Sequence, residues 1–356
     1  MGLKIGKYIN YLNPENFNFK NKCIAIDGSY LIISSLKSRY VWNVKAYNRN
    51  YKPNYVIDNT MQPISHLQII FYKIIKLYEL GCFPIFCFDG IPDDKKRILP
   101  KHRFELFNAY KRSYEAALKQ GDKKLALALA TSPKYLFTNA VRETQELISA
   151  MGIPYIISPS EAESQCAQMY RMNIADYILS TDFDVLLFGG TNLLHFEKFV
   201  GSGRNLRIVG KLYNLNNVLN DLGINRFQLI DLAIMIGNDY FDGIPEIGFK
   251  TALKLIKEYG SIDTILKDKN NLYHSKFINY LNIDKLNEIR ELFIFPIVLS
   301  NNLNLTFNFP KRGKIIELLC IKHNLDRTRI EKGIDRLIKS YNELSNLIEK
   351  SSNNLL

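Results

Sequence analysis

SPSEAESQCAQMYRMNIADYILSTDFDVLLF, residues 158–188, places Glu161 and Glu163 one residue apart at the start of an expected helix. It then places Asp182 and Asp184 at the end of an expected strand. Carboxylates held near one another repel, and a hard divalent cation such as magnesium, which takes oxygen ligands, relieves that repulsion. Read locally, Ser160 followed three residues later by Glu163 is also a capping box, which would use Glu163 to close a helix start. Glu161 has no such local role. The i, i+2 spacing of Asp182 and Asp184 in an extended segment aims both at one side. VLLFGG after them reads as a resumed buried strand.

Working outward, IPYIIS is a short strand leading into this stretch, and two more apolar strands end in acids. NKCIAIDGSYLIIS closes a strand on Asp27, and CFPIFCFDG closes one on Asp89. Asp27 alone would serve as a helix cap. Between these strands, apolar residues recurring at three and four predict a helix from Ile64 to Leu80, ended by Gly81. Strands alternating with helices predict an α/β protein whose central, mostly parallel sheet is flanked by helices. Neighbouring parallel strands end on one edge, so their acids converge there. Downstream, Asn139 to Ala150 reads as an amphipathic helix and Val200 to Arg204 as a turn between strands. FQLIDLAIMIGNDY reads as a buried helix ending at Asp239, and FDGIPEIGFKTALKLIKEYGSI as two short helices joined by a turn around Gly248. Amides at the second helix start can bind a phosphate, with Lys250 and Lys254 one turn apart to support them. Helices and irregular pieces continue to about Tyr341, and SSNNLL reads as a frayed tail.

The chain has 356 residues, 47% apolar and 23% charged, which is an ordinary globular composition. No apolar run is long enough to span a bilayer, and MGLKIGKYIN lacks the apolar core of a signal peptide, so an intracellular protein is expected. Five scattered cysteines without a Cys-x-x-Cys pair read as reduced core thiols, and five dispersed histidines argue against an imidazole-bound metal. A net charge of +12 attracts polyanions. Two stretches concentrate it. In residues 37–60, Lys37, Arg39, Lys45, Arg49 and Lys52 alternate with aromatic residues, either as a nucleic-acid groove or as a surface loop packed back on the domain. In residues 95–112, basic residues outnumber the one acid, Glu105. Lys96 and Arg103 are seven apart, which on one helix would share a face, and Pro100 between them either breaks that helix or begins a second.

Together IPYIISPSEAESQCAQM, STDFDVLLFG, LIDLAIMIGNDYFDGIPEIGFKTAL and CFPIFCFDGIP resemble the flap endonucleases, members of the structure-specific 5′-nuclease superfamily, in their archaeal and eukaryotic form. The resemblance runs from MGLKIG to about Tyr341. It implies a PIN-like fold with a helical arch and a helix–turn–helix, divided as a nuclease part (1–92), an arch (93–137), a second nuclease part (138–240), a helix–turn–helix and helical region (241–341) and a tail (342–356). It implies metal ligation by Asp27, Asp89, Glu161, Glu163, Asp182, Asp184 and Asp239, the first four chiefly at one ion and the last three at the other. Lys96 and Arg103 become the catalytic basic pair, nearly neutralising the acids together with two magnesium ions, for which manganese substitutes. Gly2 lies near the active site, and Gly243, Gly248, Lys250 and Lys254 fall in the duplex-binding region, assisted by potassium.

The activity implied is magnesium-dependent, two-metal phosphodiester hydrolysis of branched DNA bearing a 5′ single-stranded flap, with 5′–3′ exonuclease activity, in replication and repair. The products implied are a 5′-phosphate and a 3′-hydroxyl. The protein is expected to be a monomer, cytoplasmic in a prokaryote or nuclear in a eukaryote. An exonuclease or junction-resolving enzyme of the same superfamily would share every acid, whereas a non-catalytic DNA scaffold would have lost some. Departures from the family pattern are Glu246 in place of a small turn residue, Gly243 in place of a serine, and Ile33 where an aromatic stacks on the nucleotide, with Tyr30 or Tyr40 as the substitute. SYNELSNLIEKSSNNLL shows no sliding-clamp motif, so clamp binding is not expected.

Overall fold

Short, β-branched or aromatic runs form the sheet. The computed structural model describes residues 3–36, 55–90, 100–301, 303 and 305–353, with backbone alone at 100–104 and 346–353. Its strands are β1 (Cys23–Asp27), β2 (Phe83–Phe88), β3 (Tyr155–Ile157), β4 (Tyr177–Leu179), β5 (Asn192–Val200) and β6 (Arg207–Asn214), in the spatial order β3-β2-β1-β4-β5-β6. The first five run parallel, and β6 returns antiparallel to β5, as the turn at 200–204 predicts. Progress through the sheet reverses direction at β1, which pairs with β2 on one side and β4 on the other. Such a switch point leaves a crevice beyond the carboxyl ends of the strands.

The helices in chain order are α1 (Gly28–Leu36), α2 (Ser65–Glu79), α3 (Pro100–Lys119), α4 (Lys123–Ala130), α5 (Pro133–Ala150), α6 (Ala162–Arg171), α7 (Asp184–Leu187), α8 (Leu215–Leu222), α9 (Arg226–Ile236), α10 (Phe249–Tyr259), α11 (Ile262–Lys267), α12 (His274–Ile278), α13 (Ile283–Ile294), α14 (Arg312–Ile316) and α15 (Arg327–Asn353). Side chains alternate across a strand, so each sheet face has its own core. Ala25, Ile178 and Leu193 face Cys166 of α6 and Leu232 of α9. Ile24, Ile26, Leu179 and Leu194 face Ile70 and Ile74 of α2, Leu147 of α5 and Ile334 of α15. A satellite core joins Phe107 and Tyr114 of α3 and Ala126 of α4 to Tyr135 of α5, Ile57 and Met61. Pro100 begins α3 rather than breaking it, as its fixed φ allows at a helix start.

Several local expectations are corrected. VLLFGG is not a strand: Asp184 opens α7, its amide donating to Asp182 Oδ1 at 2.9 Å, and the next strand starts at Asn192. An apolar run of four reads equally well either way, and the side-chain bond decides it. The helix expected from Asn139 begins at Pro133. FDGIPEIGFKTALKLIKEYGSI holds one helix before its final turn, α10; residues 237–248 are non-helical and join it to α9. α15 reaches Asn353, beyond the expected start of the frayed tail.

Candidate active site

Each strand-end acid is fixed by a neighbouring element. Asp27 closes β1; its Oδ1 accepts the Tyr30 amide at 2.9 Å and its Oδ2 the Ser180 hydroxyl at 2.9 Å. It therefore caps α1 and faces the crevice at once. Asp89 follows β2; Oδ1 accepts the Ala162 amide at 2.8 Å, and Oδ2 the Ser29 hydroxyl at 2.5 Å. Asp89 thus satisfies the start of α6, and the expected Ser160–Glu163 box does not form. The N-cap position is Glu161, which makes no side-chain capping bond, so Glu163 projects from the first turn without a capping duty. The close approach behind this needs Gly90, where a Cβ would stand 1.7 Å from the Ser158 carbonyl oxygen.

Glu161 accepts the Tyr240 hydroxyl on Oε2 at 2.5 Å. Ser180 Oγ accepts the Asp182 amide at 3.1 Å, and Asp184 is tied through Oδ1 to the Leu3 amide at 2.9 Å. A cavity of about 390 Å³ collects six of the seven acids: Asp27, Asp89, Glu161, Glu163, Asp182 and Asp239. Tyr30 and Ile33 share its wall, and no basic residue is among its described lining. Asp184 stands behind Asp182, near enough to feel both Asp182 and Asp239.

This crowding shows in proton affinity. Burial, then the charge of Asp89, pushes the Asp27 carboxyl up to about 7 against the hydrogen bonds it accepts. Burial and the neighbouring Asp182 push Asp184 up to about 7, and burial with Asp27 and Asp89 holds Glu163 well above the usual range. Among the described residues no three acidic, histidine or cysteine side chains close into a ready-made single-ion cage; the carboxylates ring an open space instead. Oxygen-only donors and crowded carboxylates give the cavity the chemistry of a hard-cation site.

Comparison with known proteins gives the family. Residues 3–106 match the XPG N-terminal domain and residues 152–239 the XPG I-region. "Flap endonuclease 1" of Methanosarcina barkeri is 32% identical over 95% of this chain and 96% of its own, and that of Sulfolobus acidocaldarius is 35% identical over 83% and 85%. The chain belongs to the flap endonuclease family. It is of the archaeal and eukaryotic type, a structure-specific nuclease of a family that acts in replication and repair. The flap endonuclease-1 structure from Methanococcus jannaschii superposes with a TM-score of 0.69 at 27% identity, covering 97% of this chain and 99% of that one. The catalytic core of Rad2 in complex with DNA substrate shares the fold, with a TM-score of 0.64 at 23% identity over 94% and 96%.

For this flap endonuclease the basic pair is only partly in view. Lys96 and Gly2 lie outside the described residues, as do Tyr40 and most of the aromatic–basic stretch at 37–54; Arg103 lies in α3 with backbone alone. Gly243 is left-handed at φ +87°, and a Cβ there would meet the Gly237 nitrogen at 2.7 Å, which accounts for glycine at this position. Glu246 takes a left-handed φ of +64°, and its carboxylate meets Lys276 Nζ at 2.5 Å. The charge that looked misplaced in the sequence is therefore answered from α12. Gly248 begins α10 without a side-chain cap, and Lys250 and Lys254 are exposed beyond it. Sequence reasoning assigned no role to Ser29, Ser180, Tyr240 or Lys276. Tyr240 alone carried a signal, standing next to Asp239.

Proposed function

We propose that the acid-lined cavity hydrolyses the phosphodiester at the base of a 5′ single-stranded flap on branched DNA, leaving a 5′-phosphate and a 3′-hydroxyl. Asp27, Asp89, Glu161, Glu163, Asp182, Asp184 and Asp239 would hold two magnesium ions, the first four chiefly one and the last three chiefly the other. Manganese would replace them. The fit rests on donor chemistry: every side chain offered is a carboxylate, and the space they ring admits a cation that keeps part of its water shell. Bound cations would supply a polarised water and neutralise charge growing on the phosphate.

The chain's own residues do the rest. Ser29, Ser180, Tyr240 and the amides of Tyr30, Ala162 and Leu3 hold the carboxylates in place before substrate arrives. Lys96 and Arg103 grip and orient the scissile phosphate. The uncapped start of α10, with Lys250 and Lys254, takes the duplex backbone, aided by potassium near Gly243. The enzyme acts as a monomer and also trims 5′ ends exonucleolytically.

The observation that carries this reading is the cavity itself, six acids with no basic residue among its described lining. Side-by-side cleavage of 5′-flap, nicked and four-way DNA with magnesium tests it. The flap is expected to be cut fastest; a preference for nicked or four-way DNA would make the protein an exonuclease or junction-resolving relative instead.

A further inference from the structure

We propose that Tyr240 is a positioning residue whose hydroxyl orients the Glu161 carboxylate for the cation and ties that carboxylate to the duplex-binding turn. This rests on the metal-dependent reading of the cavity. The contact is short and directed: Tyr240 Oη donates to Glu161 Oε2 at 2.5 Å, across 79 residues of sequence. Glu161 is 8% exposed, and its Oε2 points at the shared wall between the acid-lined cavity and a neighbouring pocket of about 210 Å³.

The hydroxyl can direct a carboxylate only if its own ring is held, and it is. The ring packs edge-on against Phe293 at 5.4 Å, and Phe293 is fully buried. Arg226 anchors that contact, donating to the Phe293 carbonyl at 3.0 Å and to the Leu187 carbonyl at 2.9 Å. The backbone is equally fixed. Asn238 Oδ1 accepts the amides of Tyr240 at 2.9 Å and Phe241 at 3.1 Å, while the Ile244 amide returns to the Met235 carbonyl at 2.8 Å. This knot carries Asp239 and Tyr240 side by side and continues through Gly243 and Glu246 to the uncapped start of α10.

Glu161 comes from the start of α6 and Asp239 from the non-helical segment that follows α9. Tyr240 joins these two ligand-bearing elements through its bond to Glu161. A displacement of the 237–248 segment, as when a duplex seats on α10, is therefore transmitted to a ligand carboxylate through one hydrogen bond. Partners that orient a ligating carboxylate typically change metal affinity or activity by 10- to 100-fold when removed.

The test uses the full chain and Tyr240→Phe, which keeps the ring on Phe293 and removes only the hydroxyl. Thermal unfolding is followed against magnesium concentration without DNA. The half-saturating magnesium is expected to rise about tenfold in Tyr240→Phe. On a labelled 5′-flap, the single-turnover rate falls about tenfold at limiting magnesium and recovers at high magnesium, with flap affinity changed less than about twofold. In a Glu161→Gln background the same substitution shifts neither quantity. An unchanged magnesium midpoint in Tyr240→Phe overturns the proposal. So does a rate loss that magnesium does not restore and that parallels lost flap affinity, which would make Tyr240 a DNA contact. A wild type that fails to cut the flap overturns the nuclease reading alone, since the magnesium midpoints still decide the role of Tyr240. A wild type that magnesium does not stabilise overturns the metal reading and this proposal with it.

Discussion

Two of the groups of buried acids in this molecule meet burial with opposite neighbours. At the cavity, Asp27 in its lining and Asp184 behind Asp182, 5% and 3% exposed, are pushed up to about 7. Outside the cavity, Asp58 and Glu143, 4% and 3% exposed, enclose His323. Its Nδ1 lies 2.7 Å from Asp58 Oδ2 and its Nε2 3.1 Å from Glu143 Oε1, with Lys322 Nζ 3.0 Å from the same Glu143 oxygen. Burial would raise Glu143, but His323 and Lys322 hold it down to about 2. Burial would likewise lower His323, yet its bonds to Asp58 and Glu143 raise it to about 9. Nearby His66 has no such hydrogen bonds, and burial pushes it down to about 4. Burial is common to both groups; what differs is the neighbour each carboxylate meets, another carboxylate in one and His323 with Lys322 in the other. The His323 node is structural, clamping the 55–63 segment to α5 and the stretch before α15. The cavity has no basic residue among its described lining, and its acids raise one another instead.

The largest test of that contrast is His323→Ala, which takes the buried imidazolium from two buried carboxylates. Removing one partner of a buried pair costs about 3–5 kcal/mol. Denaturant or thermal unfolding should show that loss, whereas Asp182→Asn, which relieves repulsion, should leave the magnesium-free protein at least as stable as wild type. Equal losses in the two variants would break the comparison.

Magnesium comes next. A ligand that binds only the folded state adds about 2.7 kcal/mol at 100 times its Kd. Magnesium should therefore raise the unfolding temperature of wild type and do so much less in Asp182→Asn.

The pH dependence separates the two groups by sign. His323 has a folded value raised to about 9 from the usual 6.5, so its contribution is full below 6.5 and lost as pH rises through about 9. The penalty for His323→Ala should shrink over that window. Asp27 and Asp184 are acids raised from 3.8 to about 7, so the folded chain binds protons the unfolded chain has released, and stability falls as pH rises from about 4 through 7. Magnesium-free wild type should show that fall, and Asp27→Asn should flatten it. A magnesium-free stability that rises over this range would contradict the account.

The smallest effect concerns the exposed pair, Glu246 with Lys276. Exposed ion pairs contribute little to stability. Glu246→Gly should leave unfolding nearly unchanged, since glycine suits the left-handed φ of this residue. It should nevertheless tighten duplex binding and steepen its salt dependence by about one unit of slope, as Lys276 is freed for a phosphate. Unaltered salt dependence would remove Lys276 from the duplex-binding surface.

Much of this architecture was legible in the sequence, because strand-end acids in apolar runs leave a strong local pattern. Asp27, Asp89 and the 158–188 stretch led to a parallel sheet with acids on one edge, and the sheet carries them there. Long-range partners were not legible. The capping box looked complete within four residues, yet the donor at the start of α6 is satisfied by Asp89, 73 positions away. Asp58, Glu143 and His323 give no sign of one another along the chain, and Lys276 answers Glu246 from 30 residues on. α7 was misread because four apolar residues carry no period, and a single bond from the Asp184 amide to Asp182 decides between helix and strand.

The central claim is that the crowded carboxylates act with magnesium on a flap. The most direct measurement is single-turnover cleavage of a labelled 5′-flap DNA, wild type beside Asp182→Asn, with magnesium and with a chelator. The account predicts rapid cutting by wild type with magnesium alone. It predicts a rate lower by orders of magnitude in Asp182→Asn, with flap binding retained. Cleavage by Asp182→Asn at the wild-type rate, or by wild type in chelator, would contradict it.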